Sequence, residues 1–138
     1  MGAWGVSIFE DDTSLDWIED DYTSGGVEAV RGALTAAVET TAGDTLDYDE
    51  GIPARVAAEI VAVCFGAAHP EMGTDNSETL LEHIDDVTQD RDLIPLALQA
   101  LARVNADNSE LQELWAEGDQ SAWDAEIEGL EIRLRGLT

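Results

Sequence analysis

Two stretches of this chain, about 53–67 and 92–105, are apolar nearly all round, while almost all of its 31 Asp and Glu residues lie elsewhere. A helix with no polar face belongs in the middle of a protein. The first stretch holds only Arg55 and Glu59 as charges and opens at Pro53. A first helical residue tolerates proline there, because the missing N–H would be unpaired anyway. The second follows Asp92 as a cap and keeps Pro95 in its first turn. It carries Leu93, Ile94, Leu96, Leu98, Leu101 and Val104, so the rest of the chain has to be arranged around this pair.

That rest also has helical spacing. Thr13 and Asp16 make a capping-box-like start for a short helix over about 14–22, broken by Thr23-Ser-Gly-Gly26. Val27, Val30, Leu34, Ala37 and Val38 recur at helical intervals to about Ala42, where Gly43 is a suitable stop. Asp44 to Gly51 is predicted as an acidic loop. Beyond His69-Pro70, a helix begins at Asn76 or Ser77 and places Leu80, Leu81, Ile84 and Val87 inward. Asp107 or Asn108 starts a short helix with Leu111, Leu114 and Trp115, stopped by Gly118. The last helix, from about Ser121, stripes Trp123, Ile127, Leu130 and Leu134, with Glu131 and Arg135 paired at i,i+4. Alternating Val/Ile/Thr runs are absent. The expected fold is all-α: one domain over 1–138, a compact irregular bundle of about seven helices around two buried central ones. Residues 1–12 have no clear period and read as an irregular arm, anchored by Trp4 and Phe9.

Charge sets the expected environment. Against the 31 acids stand six arginines and no lysine, for a formal net charge of −25. Such a surface repels itself unless salt screens it, over about 8 Å at physiological ionic strength and about 3 Å at 1 M. Acids spread along the whole chain fit adaptation to a salt-rich cytoplasm, with an acidic partner-binding face, including nucleic-acid mimicry, as the other reading. Direct nucleic-acid binding is not expected, because a phosphate backbone calls for clustered Lys and Arg. Neither a secretory signal nor a membrane-length apolar run is visible, and Val6 stands where a myristoylation motif needs Ser or Thr. A soluble, cytoplasmic protein without membrane association is the expectation.

The opening Gly2-Ala3-Trp4-Gly5, followed by Ile8-Phe9-Glu10-Asp11-Asp12 and Leu15-Asp16-Trp17, resembles the start of a family of small acidic bacterial and archaeal proteins. That family is known only as a domain of unknown function. The resemblance continues through Ala57-Ala58-Glu59-Ile60-Val61-Ala62, Asp107-Asn108-Ser109-Glu110-Leu111 with Glu113-Leu114-Trp115, and the final helix holding Trp123. It implies an intracellular, mostly helical single domain and supplies no catalytic residue, cofactor or substrate.

Each residue pattern with chemical potential has a simpler structural reading. Glu10, Asp11, Asp12 and Asp16 would suit a hard cation if they converged, yet acids at a helix start also complement its dipole. Asp47-Tyr-Asp49-Glu-Gly51 misses the calcium-loop spacing, since the closing glutamate should fall at Ala58 and comes one residue late at Glu59. His83 with Asp86, even joined by His69, lacks further zinc ligands. Cys64 sits in an apolar run and reads as a small buried hydrophobe. Trp4, Trp17, Trp115 and Trp123 fit the core better than a ligand groove. No catalytic residue, metal or cofactor is assigned. The favoured function is a non-enzymatic protein-binding module, inhibitor- or immunity-like in one concrete form, meeting a protein partner through Glu10, Asp11, Asp12 and Asp16. The alternative is an enzyme or divalent-cation-binding protein built on a carboxylate cluster near residues 10–16 or 47–50.

Overall fold

The computed structural model describes residues 12–40, 44–69, 78–106 and 108–138. The chain is an all-α bundle, and among the described residues its seven helical elements pack around one contiguous apolar core. The arm at 1–11 and the segments 41–43 and 70–77 lie outside the described residues, as does Asp107.

Helix α1 begins at Asp12–Trp17 and runs on through a π-helical turn, Ile18–Tyr22, into a last turn, Thr23–Gly25. The break expected over Thr23–Gly26 falls at its last residue, Gly26, so the helix runs three residues past the expected end at 22. Thr23 Oγ1 donates to the Ile18 carbonyl at 3.0 Å and Ser24 Oγ to the Asp20 carbonyl at 2.9 Å, so both hydroxyls fold back onto the preceding turn. Gly26 ends the helix with φ +58°, a backbone that other residues rarely adopt. A Cβ there would also meet the His83 ring at 3.1 Å. Helix α2, Val27–Glu39, follows at once and buries Val30, Leu34 and Ala37.

Helix α3, Tyr48–Cys64, starts five residues earlier than its proline suggested. Asp47 caps it by accepting the Glu50 amide at 3.1 Å, and Glu110 accepts the Tyr48 amide at 3.0 Å. With those first donors satisfied, the acidic stretch 48–51 becomes helix and Pro53 lies in the second turn. From Gly51 to Cys64 every residue except Pro53 is buried, so α3 is the central helix the composition called for. A single parallel bridge between Leu46 and Ser109 ties the approach to α3 to the approach to α6.

Helix α4 combines a 3-10 turn, Leu81–His83, with Ile84–Val87. The second central helix, α5 (Leu93–Val104), packs on both α2 and α3. It keeps an exposed edge at Pro95, Gln99 and Ala102. Asp92 occupies its cap position without a capping bond. Its amide instead reaches the Asp90 side chain at 3.1 Å. Helix α6, Glu110–Glu117, is capped by Ser109 rather than by Asp107 or Asn108, and α7, Gln120–Arg135, by Asp119. On α7, Trp123, Ile127, Leu130 and Leu134 are buried as the stripe required.

Candidate interaction surface

The corner at Gly26 sets α1 against α2, and the α4 region braces it from below. Tyr22 is buried on α1 and donates its hydroxyl to the Leu80 carbonyl at 2.6 Å. The His83 ring stands edge-on to Tyr22, with centroids 5.1 Å apart, and its Nε2 lies 3.1 Å from the Thr23 carbonyl. Cys64, buried on α3, contacts the same Leu80 carbonyl at 3.6 Å. Burial raises the Tyr22 pKa and pushes the Cys64 thiol up to about 11. A thiol held protonated this way is a poor nucleophile, in keeping with the role of Cys64 as core filling.

An open groove of about 680 Å³ lies between α1, α2 and the first turns of α3. Its acids are Asp20 and Asp21 from α1, Glu28 from α2, and Asp49 and Glu50 from α3. Its small residues come mostly from α2, where Ala29, Gly32, Ala33 and Ala36 follow one another, with Gly25 at the end of α1 and Pro53 on α3. Trp17 is the single aromatic among the described lining residues and stacks on Tyr22, ring centroids 6.4 Å apart. The floor positions sit at helical spacing on a different face from Val30, Leu34 and Ala37. Helix α2 therefore has two non-polar stripes, one buried in the core and a second of small residues that is half-buried except at exposed Gly32.

The residues singled out from sequence divide around this groove. Asp16 is exposed on α1 one turn before Asp20 and does not line it. Asp12 is the first residue of α1, and its side chain, with Glu10 and Asp11, lies outside the described residues. From the second acidic stretch, Asp49 and Glu50 reach the groove while Asp47 serves as the α3 cap. Asp20, Asp21, Glu28 and the small floor were missed. The available signal was the spacing of Ala29, Gly32, Ala33 and Ala36, a second helical stripe hidden by its lack of bulk.

The remaining candidates have structural partners. His69 meets Glu126 at 3.1 Å, and His83 belongs to the corner. Among the described residues no three His, Cys, Asp or Glu side chains gather so as to hold a metal ion. Trp123 is fully buried, stacks on half-buried Trp115 at 6.1 Å and donates its indole N–H to Asn105 at 2.7 Å. Arg55 lies over the Trp123 ring at 5.2 Å. Trp4 is outside the described residues.

Fold and surface together define a small all-α domain with an acid-rimmed, small-floored groove on its outside. The chain belongs to the DUF4259 family, a domain of unknown function whose pattern matches residues 2–126, from before α1 into α7. A search of curated proteins found no match, and a search of solved structures found none either. Among the described residues no helix is long and apolar enough to cross a membrane.

Proposed function

We propose that this chain is a non-enzymatic protein-binding module, one domain over 1–138, working in a salt-rich cytoplasm. The observation that carries the reading is the groove: a shallow surface with a non-polar floor inside an acidic rim. Recognition surfaces combine a desolvated centre with a polar margin, and the charged margin steers encounter and rejects wrong partners. Glu10, Asp11, Asp12 and Asp16 also contact the partner, a protein with a complementary basic face. An inhibitor or immunity protein works in this way, by covering its partner rather than by chemistry.

The test is affinity capture from the source cell at its native salt. The wild-type chain is compared with a variant carrying Asp20→Asn, Asp21→Asn, Glu28→Gln, Asp49→Asn and Glu50→Gln. A protein retained by the wild type and lost from the variant, with both showing the same circular dichroism, is the expected result. Equal capture by both, or capture of nothing, would leave the acids as salt adaptation alone and end this reading.

A further inference from the structure

The floor of the groove contains a glycine that the fold itself does not use. Gly32 lies in the middle of α2, has a right-handed helical backbone, and a Cβ built on it meets nothing within 4 Å. Neither backbone conformation nor close internal packing requires glycine there, although glycine weakens a helix interior. What its missing side chain does is keep the surface low within the α2 stripe running from Ala29 to Ala36. Small residues at such spacing let the backbone of another helix come close, as ridges of one helix settle into the grooves of its neighbour.

Resting on the reading of this face as a protein-binding surface, we infer that the occupant is a basic amphipathic helix of a partner protein. It lies along α2 with its apolar stripe on Gly32 and its neighbours and its Lys or Arg residues against the rim. Charge complementarity selects this occupant: five carboxylates line the groove and no cation does among its described residues. A second copy of this chain would bring a like-charged rim against this one. The chain's own residues 1–11 carry Glu10 and Asp11 and no Lys or Arg. A peptide that docks by strand addition needs an open sheet edge, which the described residues do not form, whereas a helix needs only a groove.

The full-length chain is titrated with a Leu/Lys peptide of about 16 residues, its leucines at i, i+3, i+4 and i+7, long enough to hold helix. The buffer is the lowest salt at which the chain keeps its helical circular dichroism. The comparison peptide has the same composition with the leucines scattered. One-to-one binding of the amphipathic peptide, tighter by about tenfold or more than the scrambled one, is expected. Gly32→Leu or Ala36→Leu should lower that affinity by about tenfold while Gly129→Leu, over open space on α7, leaves it unchanged. Equal affinity for the two peptides, or indifference to both groove variants, overturns the inference. So does a wild-type dimer that Gly32→Leu converts to monomer, which would assign the groove to a second copy. If cellular capture still depends on the rim acids while the peptide shows no preference, only the helical occupant fails. If capture fails too, the binding-module reading falls with it.

Discussion

Replacing Gly32 by alanine should stabilise the isolated protein by about 0.5–1 kcal/mol, because the mid-helix glycine costs about that much relative to alanine and the new methyl has open space to enter. Gly129→Ala should gain a similar amount, and thermal melting of the two variants checks both. The two then separate on function, since only Gly32 floors the groove. Cys64 and Tyr22 set a different residue-level expectation. Burial keeps both protonated, the thiol up to about 11 from an ordinary 9.0 and the phenol raised from 10.0. Above pH 9 the unfolded chain releases the Cys64 proton before the folded one does, so the folded state holds more protons and stability falls as pH rises. Tyr22 adds to the fall from about pH 10 upward. The slope from one such group is at most about 1.4 kcal/mol per pH unit. With no lysine in the chain, this window is free of the titration that usually obscures it. Urea midpoints should be flat between about pH 7 and 8 and decline from pH 9 to 11, with Cys64→Ala declining less steeply. Equal declines in wild type and variant would remove Cys64 as a cause.

At the scale of helices, α3 and α7 are joined by a charge pair as well as by apolar packing. Arg133 donates to both oxygens of buried Glu59, at 2.7 and 3.2 Å, and to the Ala67 carbonyl at 2.9 Å. Removing the guanidinium leaves the buried Glu59 carboxyl without its ion-pair partner, so Arg133→Ala should cost about 3 kcal/mol in urea unfolding. The double variant Glu59→Met, Arg133→Leu should recover most of that loss, because an apolar pair of similar bulk faces no desolvation penalty. The helices themselves were legible from apolar spacing, and so was the burial of α3, because its stretch from Pro53 onward carries only two charges. Their ends were less so. Asp47 and Glu110 cap the same terminus from sequence positions more than sixty residues apart, and that joint capping moved the start of α3 ahead of Pro53. Ser109 displaced the better-looking caps beside it because its loop is fixed by the bridge to Leu46. The groove was illegible for a related reason. It belongs to no single segment: its rim is drawn from three helices, and its floor consists of residues whose importance is their lack of size.

Taken as a whole, the molecule assigns all six of its arginines to specific ties. Arg31 pairs with Asp90, Arg55 with Glu126, Arg133 with Glu59 and Arg135 with Glu131. Arg91 lies over Phe65 and donates to the Leu137 carbonyl, and Arg103 donates to the carbonyls of Thr40, Asp44 and Asn108. These contacts join separate elements in every case but Glu131–Arg135, which lies within α7. With 31 acids, six arginines and no lysine, most of the negative surface has no protein cation to offset it, so screening must come from solution. Raising ionic strength from 0.1 M to 1 M shortens the screening length from about 10 Å to about 3 Å, less than the separation of most surface carboxylates. The melting temperature should therefore rise by on the order of 10 °C across that range in KCl, a few kcal/mol for a domain of this size. General salting-out also favours the folded state, and the variant with all five groove acids turned to amides separates the two effects. Carrying five fewer charges, it should melt higher than wild type at 0.1 M and gain less on going to 1 M. Parallel salt curves for the two proteins would show that charge repulsion is not what the salt relieves, and the acidic surface would then need an explanation other than its environment.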